Sequence, residues 1–264
     1  YDLGNDFYAQ WLDPSMTYSS ACFDQSHDLT EAQTRKYERL LDLIDPAPGE
    51  HILEIGCGWG GFAEYAARWG MQVTGITLSK EQLAYAEARI ARAGLSDRVT
   101  FKLCDYRELR GTYDHAVSIE MLEAVGQRYW GRYFQTLYDH VRPGGRIALQ
   151  AITIDESEFD DYVANAGGFI QKYIFPGGML LTTRHLFDLA AEAKLDAWHL
   201  TPFGKDYATT LHHWLERFDA VTPWLEANGY DDAFRRTWRY CLAFCEAGFR
   251  DGRIDVVHFS AERP

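Results

Sequence analysis

Two carboxylates, a run of glycines and an amide stand where this chain could do chemistry. Glu54 immediately precedes four glycines in six residues: Gly56, Gly58, Gly60 and Gly61. Glycine lets a backbone turn sharply and approach a ligand, because no Cβ intervenes. The helical pattern that follows, Phe62 to Trp69, adds unpaired N–H groups at its start. Gly56, Gly58 and Gly61 fit the G-x-G-x-x-G spacing of a dinucleotide site, which also wants an acidic residue about 20 positions on for the ribose. The corresponding stretch, VTGITLS from Val73 to Ser79, has none. Glu54 suits a different ligand, the cationic head of S-adenosylmethionine. Glu123 is the second carboxylate. It falls just past a predicted strand, where burial without a partner is costly, and this favours a working role over a structural ion pair. Gln150 serves equally well as a site residue or as a partner for backbone groups. Tyr18-Ser19-Ser20, a polar triplet in an aromatic stretch, is suited to lie over a ligand.

The elements that must position these residues alternate. Strands are expected at 51–55, 71–76, 99–104, 114–119 and 145–154, with a last one at 256–260. Helical patterns fall at 31–44, 61–69, 80–93 and 128–141. Such alternation implies an α/β, Rossmann-like fold: a mostly parallel seven-stranded sheet with helices on both faces. Ligands in such sheets sit beyond the carboxyl ends of the strands, at the switch point. That gathers Glu54–Gly61, Thr77–Ser79, Cys104–Tyr106, Ser118–Glu123 and Gln150–Thr153 into one crevice. Further helices are expected at 183–194, 206–228 and 231–250. The stretch from Gly167 to Gly178, apolar and aromatic residues between two glycine pairs, reads either as a lid or as a buried connector.

At 264 residues the chain is long enough for one domain with a helical cap. Residues 1–50 are expected to form an N-terminal cover and helix, and 155–182 and 205–250 a substrate-side lid and helices. A net charge of −13 argues against nucleic acid as a partner. No apolar run approaches the roughly 20 residues of a transmembrane helix, and five cysteines without a C-x-x-C pair read as reduced thiols. A cytoplasmic protein is expected, without a signal peptide. The start at Tyr1 implies upstream residues. His185, His199, His212 and His213 have no metal-ligand spacing, and no metal is expected.

Several stretches together resemble the cyclopropane fatty acid synthase family, which includes the mycolic acid cyclopropane synthases. They are YDLGNDFYAQWLDPSMTYS (1–19), LEIGCGWGGFAEYAA (53–67), GITLSKEQ (75–82), IEMLEAVG (119–126), YIFPGG (173–178) and Tyr207 within GKDYATTL. The resemblance implies a class I S-adenosylmethionine-dependent methyltransferase that acts on the cis double bond of an unsaturated acyl chain, usually in a phospholipid. The N-terminal domain that longer relatives carry upstream is expected to be absent from this sequence. By the resemblance, Tyr18 and Ser19 cover the cofactor and Gly56, Gly58 and Gly60 lie under it. Thr77, Leu78 and Gln82 hold the ribose and its neighbours, and Asp105 and Tyr106 flank the adenine. Transient contact with the inner face of the membrane follows from such a substrate, and a homodimer is left open.

An alkene is a weak nucleophile, so the site must align it with the sulfonium methyl and exclude water. Transfer leaves a carbocation, which aromatic faces stabilise, and a base must then remove a proton. Loss from the new methyl closes a cyclopropane; loss from a chain carbon gives a methyl-branched or methylene product. In cyclopropane-forming relatives the base is a bound bicarbonate held by a Cys position, a Glu, a His, a main-chain amide and a Tyr. Here Glu123 and Tyr207 match and Ile152 supplies the amide, but the Cys position is Ser20 and the His position is Gln150. An amide side chain donates a hydrogen bond but carries no proton or charge, so bicarbonate and the ring-closed product are both left open. A nicotinamide oxidoreductase and a non-catalytic lipid-binding relative are the competing readings.

Overall fold

The computed structural model describes residues 3–24, 26–165 and 168–264. Tyr1 and Asp2 of the opening motif, and Gly167 of the first glycine pair, lie outside the described residues. The apolar runs form β1 (His51–Ile55), β2 (Gln72–Thr77), β3 (Val99–Leu103), β4 (His115–Ile119), β5 (Arg146–Ile154), β6 (Asp196–Pro202) and β7 (Ile254–Glu262). They make one sheet in the order β3-β2-β1-β4-β5-β7-β6. Neighbours among β1 to β5 are parallel, and β7 runs antiparallel to both β5 and β6. The order reverses between β1 and β4, which opens the switch-point crevice. Gln150 is in register with Ile119, so β5 continues four residues past the end of β4.

The first five strands lie within one residue of the sequence expectation. β6 is the exception. Its residues, DAWHLTP, form a half-exposed edge strand that ends in proline and lacks the buried alternation that would mark it.

The helices follow from their caps. In α2 (Leu29–Ile44), the Asp28 side chain accepts from the Glu31 N–H, so the helix starts two residues before its expected first turn. α3 (Gly61–Arg68) follows the glycine turn. Ser79 caps α4 (Lys80–Ala93), and Gly94 closes it in the left-handed conformation. α5 (Trp130–His140), α6 (Phe159–Ala164), α7 (Phe169–Tyr173) and α8 (Thr183–Glu192) come next in the chain. The single helix expected over 206–228 is two: α9 (Gly204–Ala220) and α10 (Thr222–Ala227). Pro223 supplies no N–H and clashes with the preceding turn, so it begins a new helix instead of continuing the old one. α11 (Asp232–Asp251) packs against α9.

The opening stretch folds as a short α1 (Gly4–Ala9) and a loop whose aromatic rings are core. Trp11 is fully buried, with edge-to-face contacts to Phe7 (5.8 Å), Tyr18 (5.6 Å) and Trp214 (5.8 Å). This aromatic cluster joins the opening stretch to α9 and α11 and forms a roof over one side of the crevice. Trp11→Ala is expected to destabilise the fold by about 3–5 kcal/mol, the usual cost of deleting a buried tryptophan. Urea unfolding followed by circular dichroism checks this, and an unfolding free energy within about 0.5 kcal/mol of the natural protein would show that the roof is not part of the cooperative core.

Candidate active site

β1 ends at Ile55, and the chain turns through Gly56, Gly58 and Gly60, all at positive φ (82°, 50° and 81°). The N–H groups of Gly56 and Cys57 both donate to the Ile76 carbonyl at 3.0 Å, which fixes the turn on β2. A Cβ on Gly58 would meet nothing within 4 Å, because that glycine faces the open crevice. Gly60 departs from its expected role. It caps α3, and a Cβ there would press on Phe101 (3.0 Å) and Ala86 (3.1 Å), so it packs β3 and α4 against the turn and does not line the crevice. Gly61 lines the crevice in its place, and a side chain there would strike the Tyr37 hydroxyl.

The crevice has a volume of about 890 Å³. Glu54, Gly56 and Gly58 line its floor. Thr77, Leu78 and Gln82 come from the end of β2 and the start of α4, with Thr77 Oγ1 donating to Gln82 Oε1 at 3.2 Å. Asp105, paired with Arg107 at 2.6 Å, and Tyr106, edge-on to Tyr133, come from the loop after β3. Tyr18 and Ser19 line the opposite side from the opening stretch. Glu54 is buried, its Oε2 has no partner, and burial holds its pKa well above the ordinary carboxylate range. An orphaned buried carboxylate beside glycines that leave room is what a cationic nucleoside donor requires, so the residues present fit S-adenosylmethionine.

Beyond this floor is a second group of buried polar residues. Glu120 follows β4 directly, at φ 49°, and lines the crevice. Its Oε1 accepts from the Ser20 N–H at 2.7 Å and from Gln150 Nε2 at 2.8 Å, and its Oε2 accepts from the Tyr207 hydroxyl at 2.7 Å. Three of the four residues expected to be catalytic therefore converge on a fifth residue that the motif comparison passed over. The fourth, Glu123, accepts from the Ile152 N–H at 2.5 Å and leaves Oε2 without a partner.

The donors are held from behind. Gln150 Nε2 also donates to the Ser20 carbonyl, and its Oε1 is bonded to His258 Nε2 at 2.9 Å. Burial takes the His258 imidazole down to about 3, so it is neutral and donates to the amide. The Ser20 loop is tied to α9 by Ala21 N–H to Thr210 Oγ1 and by Phe23 N–H to Asp206 Oδ2. Lys36, fully buried on α2, donates to Ser19 Oγ at 2.6 Å. Burial lowers its ammonium to about 8, while Glu120 and other anionic neighbours oppose that fall. Burial likewise lifts Glu120 above the ordinary carboxylate range, against Lys36 and the three donors. Burial and the Glu120 charge raise Glu123 to about 8, so Glu123 is largely neutral at pH 7.

The donors that the resemblance assigns to a bicarbonate are already engaged. The Ser20 N–H, the Gln150 amide and the Tyr207 hydroxyl are taken by Glu120, and the Ile152 N–H by Glu123. Sequence reasoning also missed Lys36 and Gln33, whose amide donates to the Ser19 carbonyl at 3.0 Å. Both lie on α2, on the face turned toward the crevice. The visible signal for Glu120 was a pair of carboxylates three residues apart, directly after a strand end.

Sheet order, glycine turn and crevice define the class I methyltransferase fold. Comparison with known proteins narrows this. The family model described as mycolic acid cyclopropane synthetase matches residues 1–259. The chain is similar to a tuberculostearic acid methyltransferase of Mycobacterium tuberculosis, 44% identical over 100% of this chain and 64% of that protein. It is also similar to the cyclopropane-fatty-acyl-phospholipid synthase of Escherichia coli, 37% identical over 97% of this chain and 64% of that one. The chain thus spans a little under two thirds of the length of these relatives. Among solved structures, a mycolic acid cyclopropane synthase complexed with SAH and CTAB superposes with a TM-score of 0.93 at 28% identity, over 99% of this chain and 95% of that one. The chain belongs to the mycolic acid cyclopropane synthetase family. The nicotinamide reading falls with that assignment.

Glu54→Gln is expected to weaken S-adenosylmethionine binding by about tenfold or more, the equivalent of roughly 1.4 kcal/mol. Isothermal titration measures it, and an unchanged affinity would remove Glu54 from the cofactor site. Glu123 carries a second expectation. Its folded pKa is raised, so its proton stabilises the fold at low pH, and that contribution is lost as pH rises from the ordinary carboxylate range through about 8. Glu123→Gln should therefore flatten the fall of unfolding free energy between about pH 5 and pH 8, where one retained proton is worth about 1.4 kcal/mol per pH unit. Identical slopes in the two proteins would mean that Glu123 ionises normally.

Proposed function

We propose that this chain transfers the methyl group of S-adenosylmethionine to a carbon of the cis double bond of an unsaturated acyl chain, esterified in a phospholipid, and releases an open, methyl-branched or methylene acyl chain. The observation that carries this reading is that Glu54 and Glu120 line the same crevice. A cationic donor held at the first faces a carboxylate at the second. The cofactor supplies an electrophilic methyl carbon. The protein's part is to bind, align and dry the reactants, and to receive a proton. Tyr18, Trp59 and Tyr106 present aromatic rings to the crevice, suited to a transient positive charge. The relation to a tuberculostearic acid methyltransferase at 44% identity, against 37% for a cyclopropane synthase, favours the open product.

The same reading assigns the acyl entrance. Phe169 of α7 (Phe169–Tyr173) meets Tyr240 of α11 with ring centroids 4.7 Å apart, Tyr173 lies beside Phe169 (5.5 Å), and Phe244 stacks on Tyr240 (5.7 Å). Tyr173 is 59% exposed, and Tyr240 and Phe244 are each 51% exposed. Next to them in sequence, Ile174 and Cys245 pack half-buried on the cluster that contains Tyr207. An exposed aromatic patch whose sequence neighbours pack on the Tyr207 cluster fits a bilayer surface, with binding driven by apolar burial and not by net charge. Among the described residues no helix is long and apolar enough to cross a membrane.

The test is incubation with methyl-labelled cofactor and vesicles of unsaturated phospholipid, followed by mass spectrometry of the fatty esters before and after mild hydrogenation. A gain of one CH₂ that then takes up hydrogen supports the open alkene; a gain that resists hydrogenation overturns the product assignment in favour of the ring. Cofactor and lipid binding without label transfer would make the chain a non-catalytic lipid binder. In the same assay, Tyr240→Glu with Phe244→Glu should lower vesicle binding about tenfold, roughly 1.4 kcal/mol of lost apolar burial.

A further inference from the structure

We infer that Lys36 is a positioning residue that acts through Ser19: its ammonium makes the Ser19 hydroxyl an obligatory hydrogen-bond donor, available to the carboxylate at the amino-acid end of the methyl donor. The inference deepens the methyl-transfer reading above and rests on it for the identity of the ligand. Lys36 is fully buried on α2, and its Nζ lies 2.6 Å from Ser19 Oγ. An ammonium has protons to give and no lone pair to offer. Ser19 Oγ must therefore accept from Lys36, and its own proton is left to point elsewhere. Ser19 lines the crevice and Lys36 does not, so the lysine reaches a bound molecule only through the serine.

α2 grips Ser19 at two points. Gln33 and Lys36 sit at i and i+3, on one face of the helix. Both are fully buried and both end on Ser19: Gln33 Nε2 donates to its carbonyl at 3.0 Å, and Lys36 to its hydroxyl. Tyr37, the next residue, is bonded through its own hydroxyl to Thr17 Oγ1 at 2.6 Å. One turn of helix thus fixes the backbone and the side chain of Ser19 together. Among the described residues no carboxylate pairs directly with the Lys36 ammonium, and an unpaired buried charge is costly. Burial accordingly lowers it to about 8, while Glu120 from the end of β4, Cys22 and Asp13 from the opening stretch and Glu54 from β1 oppose the fall.

Glu54 is the complementary orphan, a buried carboxyl lining the same crevice with no partner for Oε2. A carboxyl in want of a cation and an ammonium in want of an anion, served by one crevice, match a zwitterion. The amino-acid end of S-adenosylmethionine is one. Its ammonium suits Glu54, and its carboxylate suits the Ser19 O–H with the Lys36 charge behind it, because a hydrogen bond to an ionised acceptor is a strong one. Deprotonation of Lys36 reverses the arrangement. A neutral amine offers a lone pair, so the Ser19 proton can turn back toward Nζ, and the crevice loses both a donor and the positive charge behind it. Affinity for a carboxylate-bearing ligand therefore falls as pH rises through about 8.

Isothermal titration with a matched pair of ligands tests the inference. S-adenosylmethionine and its decarboxylated form differ only in the carboxylate. Lys36→Met should weaken binding of the first about tenfold or more, the usual worth of a hydrogen bond to a charged group, and of the second by less than about threefold. Ser19→Ala, which keeps the buried lysine, should show the same selective loss, and the double variant should lose about as much as either alone. It serves as the informative variant if the methionine protein does not fold. Between about pH 7 and pH 9 the natural protein should lose about fivefold or more in S-adenosylmethionine affinity beyond any loss in Ser19→Ala. The ligand's own amine titrates in both proteins, so the difference isolates Lys36. Equal losses for the two ligands in Lys36→Met would make the lysine a support of the fold alone. A pH profile shared by the natural and Ser19→Ala proteins would sever the lysine from the ligand. Either result overturns the inference. A natural chain that binds neither ligand overturns the methyl-transfer reading, and the inference falls with it.

Discussion

A carboxylate buried in a ring of three donors is the constraint around which this structure is arranged. Burying Glu120 without partners would cost several kcal/mol, and each of its partners comes from a different part of the chain. Ser20 belongs to the opening stretch, Gln150 to β5 and Tyr207 to α9. The opening loop, the sheet and the α9 layer must all dock for the charge to be satisfied. The same carboxylate is thus a register mark for the assembly of the three layers. Lys36 extends the arrangement to α2, where a buried ammonium bonded to Ser19 supplies the opposite charge.

The glycine turn imposes the second constraint. Positive φ at three glycines carries the chain from β1 into α3 without closing the floor of the crevice, and only Gly58 faces open space. Gly60 and Gly61 act through packing, one against Phe101 and Ala86 and the other beneath Tyr37. A motif of four glycines therefore divides between making room for a ligand and letting secondary structures approach closely. Glu54, next to this turn and without a partner for Oε2, leaves an unsatisfied buried carboxyl at the place where a cation would be received.

Much of the fold was legible because its signals are local. Alternating apolar runs and the glycine turn each announce themselves within a few residues. β6 escaped because a half-exposed edge strand has no buried face to alternate against, and the α9–α10 break was hidden in a continuous amphipathic pattern interrupted by a single proline, Pro223. The site was legible as a set of neighbourhoods, not as a set of bonds. Glu120 and Glu123 are indistinguishable by type and nearly so by position. What separates them is the left-handed backbone at Glu120 and the register that sets Gln150 beside Ile119. Both are tertiary facts that no local pattern encodes. Lys36 was hidden for a similar reason, since a lysine on an amphipathic helix reads as solvated until the opposite layer is seen to cover it.

The strap formed by the start of α1 has a kinetic consequence. Trp59, in the glycine turn, donates its indole N–H to Asn5 at 2.7 Å, and Asn5 in turn donates to the Glu81 carbonyl at 3.3 Å, so Gly4 and Asn5 lie along the rim of the crevice. Phe7 and Tyr8, just beyond, are anchored in the aromatic core. A latch secured by two hydrogen bonds, each worth about 0.5–1.5 kcal/mol net, is cheap to lift, while its hinge is not. A molecule seated in the crevice can then exchange through brief unlatching at one end of the roof, leaving the layer that seats Ser20 undisturbed.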